Sequence, residues 1–498
     1  ILAFSQGFCW PELFGSTGLE RTDRLTQLEQ EMGVNIQIVW GDETTVRMKA
    51  LTDLISHTGR YDILMVGTDG GVQLYGPGGY LEPLDNYVAN YPNKWFDPDT
   101  VFPKFLDASR MPPGGSLYGL PYYSFGAGML YRKDIFNKYG LSAPETTEEL
   151  VDVLQALKEG LEEDGIDMYP VTMRAAPGEE PSLDLLGYVY AYAGYPALFE
   201  GGAITEEEIR ETKALPILNS EDFKKGFEAY VNICREYGPP GISNHTWVDM
   251  MNLYAAGKAV ILMPSAINGY AAISSTENED VKNNSAFALA PVGPGGKRIQ
   301  SFWAFSIGIN PDTQHLLAAW KVLSYLCGEE AIQAFADRTG WPNVPMRSVL
   351  YSDPLVEAFG MDELRLNEES IEIANPYYFP YIKVLPDFMD KIGTACSRAV
   401  VGEDIDAVLK DLQAWALDRM FQGRLLPVRH LRMQTGGSAL LLPPVFLIMR
   451  RTRASEVDRK HKRSSRPKED RREYQRQVQV SGTYRSYLCY SGHVSFCL

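Results

Sequence analysis

The first 66 residues alternate between short apolar runs and amphipathic stretches. Ile1 to Phe4 is a short apolar run, and Arg24 to Met32 is helix-like and ends at Gly33. Val34, Ile36, Ile38 and Trp40 then alternate with Asn35 and Gln37, the period of a strand. Met48, Leu51 and Ile55 recur at helical spacing, and Gly59 ends that stretch. Tyr61 through Val66 is nearly continuous apolar sequence, as in a strand buried inside a parallel sheet. Strand, helix and strand within roughly thirty residues imply a right-handed crossover.

The middle of the chain predicts more helix. Thr146 and Glu149 form a capping box, followed by Leu150, Val153, Leu154 and Leu157 on one face. Phe223, Phe227, Tyr230, Val231 and Cys234 make another apolar stripe. Val260 to Met263 and Phe302 to Ile309 read as strands. Leu316 to Phe335 reads as one helix, with Leu317, Trp320, Leu323 and Leu326 at core spacing. Ile405, Leu409, Leu412 and Ala416 mark a last helix that ends near Gly423. No repeat of solenoid period is visible.

Charge then divides the chain. The 498 residues carry a net charge of −17, but residues 424–498 hold 16 Lys/Arg and 5 Asp/Glu, a net of +11. Residues 1–423 hold 31 against 59, a net of −28, which argues against nucleic acid as their partner. The basic tail has few core residues and is expected to be disordered, or to be a reading-frame artefact; a membrane-surface or nucleic-acid tail is the functional alternative. Its apolar run from Ala439 to Met449 is broken by Pro443 and Pro444 and is too short to span a bilayer. The chain starts at Ile1 with no signal segment, so a leader was removed or the sequence is incomplete.

The chemistry is narrowed mostly by exclusion. No HExxH, CxxC pair, GxGxxG or GxSxG is present. The run around Gly295-Gly296-Lys297-Arg298 lacks the first Gly of a phosphate loop, and Arg298 replaces its Ser/Thr. Three of the six His lie in the tail, and the six Cys read as buried small hydrophobes. No catalytic residue, metal or cofactor is therefore expected. What remains is loop convergence. Parallel strands bring Ser5-Gln6 with Trp10, Gly41-Asp42-Glu43, and Thr68-Asp69 to one sheet edge, where ligands of open sheets bind. Carboxylates and an indole suit a polyhydroxylated ligand: the former accept from hydroxyls, the latter packs on a sugar's C–H face. Asp42, Glu43 and Asp69 can equally cap the helices that follow them.

Several stretches carry a family resemblance. Tyr61–Val66, Gly79–Asp85, Tyr118–Pro121, Met129–Phe136 and Pro144–Leu150 are similar, in order, to the extracellular solute-binding proteins of sugar ABC importers. Tyr254–Val260, Ala318–Leu323 and Pro345–Ser348 extend the resemblance, which covers about residues 1–422. Within that family the chain looks closest to oligosaccharide and polyol binders. The resemblance implies an α/β fold of two lobes with a carbohydrate in the cleft, and an ABC permease as partner. It implies a monomer, periplasmic or extracellular, that binds and does not catalyse. It places the lobes at 1–118 plus 266–330 and 119–265 plus 331–423, with crossings near Gly119–Pro121, Met263–Ser265 and 330–340. Tyr122, Tyr123, Trp303 and Trp341 would then face the cleft, with Trp10 and, more weakly, Trp247. Arg347, in a Pro-flanked loop, would join Asp42, Glu43 and Asp69 at its rim. A two-lobe glycoside hydrolase using two of those three carboxylates is the alternative.

Overall fold

The computed structural model describes residues 1–422 apart from Ser5, 67–70, Pro113, Ala127, 265–268, 271–272, 274–275, 300–302 and Tyr378. The basic tail, 424–498, lies outside the described residues.

Two mixed sheets organise the chain. The first has the order β2 (Val39–Trp40), β1 (Leu2–Ala3), β3 (Ile63–Val66), β9 (Trp303–Ile309), β4 (Leu120–Phe125). Its β1 pairs in parallel with β2 and β3, and β9 runs antiparallel to β3 and β4. The second has the order β6 (Tyr169–Thr172), β7 (Ala259–Leu262), β5 (Met129–Arg132), β8 (Ser285–Ala288). Helices flank both. Every residue of β1, β3 and β7 is buried, which explains their unbroken apolar sequence.

The alternation at 34–40 yields a strand only over its last two residues. β1 offers just two partners, Leu2 for Val39 and Ala3 for Trp40. A short edge strand of this kind is a common way to end a sheet.

Helix Glu43–Ser56 forms where Met48, Leu51 and Ile55 place it, but with a different buried face. Met48 is 59% and Ile55 61% exposed, while Val46, Ala50, Asp53 and Leu54 point inward. Asp53 sets this rotation. Its carboxylate accepts from the backbone N–H of Arg60 and Tyr61 and from Asn310 Nδ2, at 3.0–3.1 Å. A buried carboxylate needs such donors, and they lie only on the inner side.

The expected helix 316–335 is two, Leu316–Leu326 and Glu329–Thr339. The break falls at Gly328, where a Cβ would stand 2.2 Å from the Trp95 carbonyl oxygen. The crossing segment at Trp95 thus demands glycine, and the helix restarts beyond it. Leu317, expected in the core, is 50% exposed. Elsewhere the pattern holds. The Thr146–Glu149 capping box is formed, and the stripes on Thr147–Glu163 and Glu221–Tyr237 are buried. The last helix runs Ile405–Gln422.

The passages between sheets lie later than expected. β4 pairs with β9, so the first sheet continues to Phe125 and the first crossing comes after it and before β5, not at Gly119–Pro121. β7 and β8 both pair with β5, so the chain does not return at Met263–Ser265 but between β8 and β9. Residues 285–288, assigned to the first lobe by sequence, belong to the second sheet. Helix Glu329–Thr339 packs on Pro11–Phe14 and Leu316–Leu326, beside the first sheet. Helix Met361–Glu372 lies by β8, with Glu363 accepting the Phe287 N–H at 2.9 Å. The third crossing therefore lies beyond 339. Pairing partners decide these points, and a strand's own sequence does not name its partner.

Candidate functional site

Residues 6–10 leave the end of β1 and turn into the one-turn helix Pro11–Phe14. Gly7 makes the turn with φ +75°, a left-handed value that glycine adopts at no steric cost. Trp10 also has positive φ, and its backbone N–H donates to the Tyr122 hydroxyl at 3.1 Å. Its indole Nε1 donates to the Leu326 carbonyl at 3.1 Å, and its ring lies against Tyr122 and Trp40. Trp10 and Tyr122 are both fully buried. These two expected cleft residues are core: their faces and polar atoms are already engaged by protein. Burial raises the Tyr122 hydroxyl well above its ordinary pKa.

Tyr123 follows a bulge in β4 and continues the same aromatic group: its ring lies 5.8 Å from that of Tyr122, and both meet Phe335. Its ring stacks on Phe305 at 4.3 Å and on Phe335 at 5.3 Å, and meets Trp341 edge-on at 5.9 Å. Tyr123 and Trp341 are 3% and 4% exposed. Phe8 covers this group, edge-on to Tyr123, Phe335 and Trp341 at 5.0–6.1 Å. Phe8 is only half-buried, so it carries the cluster's apolar surface outward. Sequence reasoning missed Phe8 and Phe335. An aromatic beside a glycine in the loop after a strand was the available signal for Phe8.

The charged candidates scatter. Asp42 is the N-cap of helix Glu43–Ser56: its oxygens accept from the Thr45 N–H at 2.8 Å and the Thr45 hydroxyl at 2.6 Å. Those bonds hold its carboxyl below the usual range. The side chains of Glu43 and Trp303, and all of Asp69, lie outside the described residues, although the Trp303 backbone pairs with Phe125 on β4. Arg347 is exposed, paired with Glu368 and, at 3.3 Å, with Glu372, and stands over the Phe102 ring at 5.4 Å. Its fork is thus taken by helix Met361–Glu372 and not by the other candidates.

The segment after β6 leads to helix Glu180–Ala193. Arg174 and Asp184 form a forked ion pair there, 3% and 0% exposed at the side chains. Ala175 and Ala176 donate backbone N–H groups to the His245 carbonyl at 3.0 Å. Trp247, half-buried, opens helix Trp247–Ala255, and its N–H donates to Glu180 at 2.9 Å. Burial holds the His245 imidazole below its ordinary pKa. Arg47, from the first sheet's side, reaches Glu179 at 3.5 Å. The structure thus brings Trp10, Tyr122, Tyr123 and Trp341 together and leaves Asp42, Trp247 and Arg347 apart. Among the described residues no three His, Cys, Asp or Glu gather for a metal, and no helix is long and apolar enough to cross a membrane.

Residues 22–333 match the model of the bacterial extracellular solute-binding protein family. A mannitol-binding protein of Pseudomonas aeruginosa is 25% identical over 401 residues, 77% of this chain and 86% of that one. An erythritol/L-threitol-binding protein of Mycolicibacterium smegmatis is 19% identical over 375 residues, 70% of this chain and 72% of its own. Among solved structures, an ABC transporter solute-binding protein of Agrobacterium radiobacter in complex with ribitol has a TM-score of 0.68 at 21% identity, covering 84% of this chain and 97% of its own. One of Agrobacterium vitis with bound D-mannitol has a TM-score of 0.64 at 22% identity, covering 80% and 95%.

Proposed function

The chain belongs to the bacterial extracellular solute-binding protein family, and we propose that its ligand is a carbohydrate of the polyol or small-sugar class. The protein captures it outside the cytoplasm and delivers it to the permease of an ABC importer. The observation that carries the reading is the family match joined to relatives named for mannitol and for erythritol or L-threitol, each aligned over most of this chain.

The site's chemistry supports it. A polyol presents C–H faces and a dense row of hydroxyls, so it needs apolar ring surface beside charged acceptors and donors. Phe8 over Tyr123 and Trp341 is such a surface. Glu43, Asp69 and Trp303 remain proposed contacts, and Trp247 a proposed contact from the second sheet's side. Closure of two lobes on the ligand would bury it and create the form that docks. We infer binding without turnover, by a monomer that does not use nucleic acid. Asp42, one of the three carboxylates from which a hydrolase reading would draw its pair, serves as a helix cap.

A thermal-shift screen with mannitol, ribitol, erythritol, maltose and monosaccharides tests the proposal. At least one polyol or sugar should raise the melting temperature and bind in calorimetry. Chromatography should return it intact. No shift with any of them, or product formation, would overturn the assignment.

A further inference from the structure

We propose that Arg47 and Glu179 form a latch between the two lobes that favours the closed cleft whether or not ligand is present. This inference rests on the two-lobe binding reading above. Arg47 lies one turn into helix Glu43–Ser56, which leaves the end of β2 in the first sheet. Glu179 is the residue before helix Glu180–Ala193, which follows β6 of the second sheet. Arg47 Nη1 stands 3.5 Å from Glu179 Oε2, with side chains 20% and 35% exposed. The pair therefore joins elements that the chain connects only through its crossings.

Each partner is presented by a fixed support. Asp42 caps the helix that carries Arg47 through two bonds to Thr45. On the other side, the Arg174–Asp184 fork is fully enclosed and anchors the start of the Glu179 loop to helix Glu180–Ala193. The Tyr230 hydroxyl donates to the Arg174 carbonyl at 2.6 Å. Further along, the Gly178 carbonyl packs so closely on Gly393 that a Cβ at 393 would come within 1.8 Å of it. Glu179 is therefore held at the end of a rigid loop. The adjacent Glu180 turns to its own lobe and accepts the Trp247 N–H. Two neighbouring carboxylates thus divide their work, one positioning a helix and the other reaching across.

An ion pair made across a hinge differs from one within a lobe. Whatever else each group touches within its own lobe, the attraction between these two needs the lobes together and so enters the closed state alone. It acts as a bias on the open–closed equilibrium. Apparent affinity scales with the fraction of molecules able to close, so the same bias appears in ligand binding. A partly buried pair of this kind is expected to be worth a factor of about three to ten.

Pulsed electron paramagnetic resonance on the full chain tests this. Spin labels are placed at Thr52→Cys and Glu236→Cys, both exposed, in a background carrying Cys489→Ser and Cys497→Ser; the four remaining cysteines are buried. Without ligand, Arg47→Glu and Glu179→Arg should each move the distance distribution toward the open form. The double swap, Arg47→Glu with Glu179→Arg, should restore it. Identical distributions for all four proteins would overturn the latch, whatever the ligand. With the sugar or polyol found by thermal shift, each single variant should bind about three- to tenfold more weakly and the swap should recover. If the swap loses as much affinity as Arg47→Glu and its distances do not recover, Arg47 acts on the ligand and the latch is wrong. If no polyol or sugar binds the parent chain, the functional reading fails, while the ligand-free distances still decide the latch.

Discussion

Trp341 donates its indole N–H to the backbone carbonyl of Ser124 at 3.1 Å. Asn343 adds bonds from Nδ2 to the same carbonyl and to the Ser124 hydroxyl, and its own carbonyl accepts the Ser124 N–H. Four side-chain and backbone links thus stitch the loop after helix Glu329–Thr339 to β4, just before the chain leaves for the second sheet. The aromatic group around Tyr123 is held shut by this stitch.

Because Trp341 is 4% exposed, its truncation acts on folding first. Trp341→Ala should cost about 3–5 kcal/mol, the usual range for removing a buried Trp. Urea denaturation followed by fluorescence would read it. A variant as stable as the parent would mean that Trp341 does not pack as described.

Phe8 reaches the surface of the same group, so its effect should fall on binding. Phe8→Ala should weaken the affinity for the bound polyol or sugar by about tenfold or more, the scale of an aromatic anchor. Isothermal titration would measure it beside a melting curve close to the parent's. Unchanged affinity would place the ligand elsewhere in the cleft.

Glu12 makes stability depend on pH in an unusual direction. Burial lifts its carboxyl from an ordinary 4.5 to about 8, with the nearby Glu330 charge adding and Arg24 opposing. The folded chain therefore holds a proton that the unfolded chain releases near 4.5. Its contribution is fully present below 4.5 and is lost progressively as pH rises to about 8. Glu12→Gln keeps the shape and removes the ionisation. Its melting temperature should exceed the parent's by a margin that grows from pH 5 to 8 and then levels. A margin independent of pH would show that Glu12 does not titrate in this window.

The rotation of helix Glu43–Ser56 is testable with two adjacent leucine-sized residues. Leu54→Ala should cost about 2–5 kcal/mol, as for a buried leucine. Ile55→Ala, at an exposed position, should stay within about 0.5 kcal/mol. Chemical denaturation of both would reverse this order if the spacing of Met48, Leu51 and Ile55 marked the inner face.

Much of the architecture follows from local rules. The capping box at Thr146 forms because Thr and Glu three residues apart satisfy each other's backbone N–H groups. The stripe from Phe223 to Cys234 is buried because a 3.6-residue period leaves one apolar face to cover. Strands β3 and β7 are legible because a strand enclosed on both sides tolerates little that is polar. The order of those elements, with the stretches around 61–85 and 118–150, was enough for the family and the two-lobe fold.

Tertiary structure alone decided what depends on a distant partner. Asp53 turned a helix whose apolar spacing pointed elsewhere, because its donors are Arg60, Tyr61 and Asn310. The Trp95 carbonyl broke a helix at Gly328. β8 joined the second sheet because β5 is its partner. Trp10 and Tyr122 went to the core, where the Trp10 backbone N–H meets the Tyr122 hydroxyl and its indole meets the Leu326 carbonyl, and Phe8, unremarkable in sequence, was left holding the aromatic surface. The Arg47–Glu179 pair, 132 positions apart in the chain, had no local signal at all. Local spacing determines which elements form; the identity of the neighbour determines which face is covered, where the chain crosses and which side chains remain for a ligand.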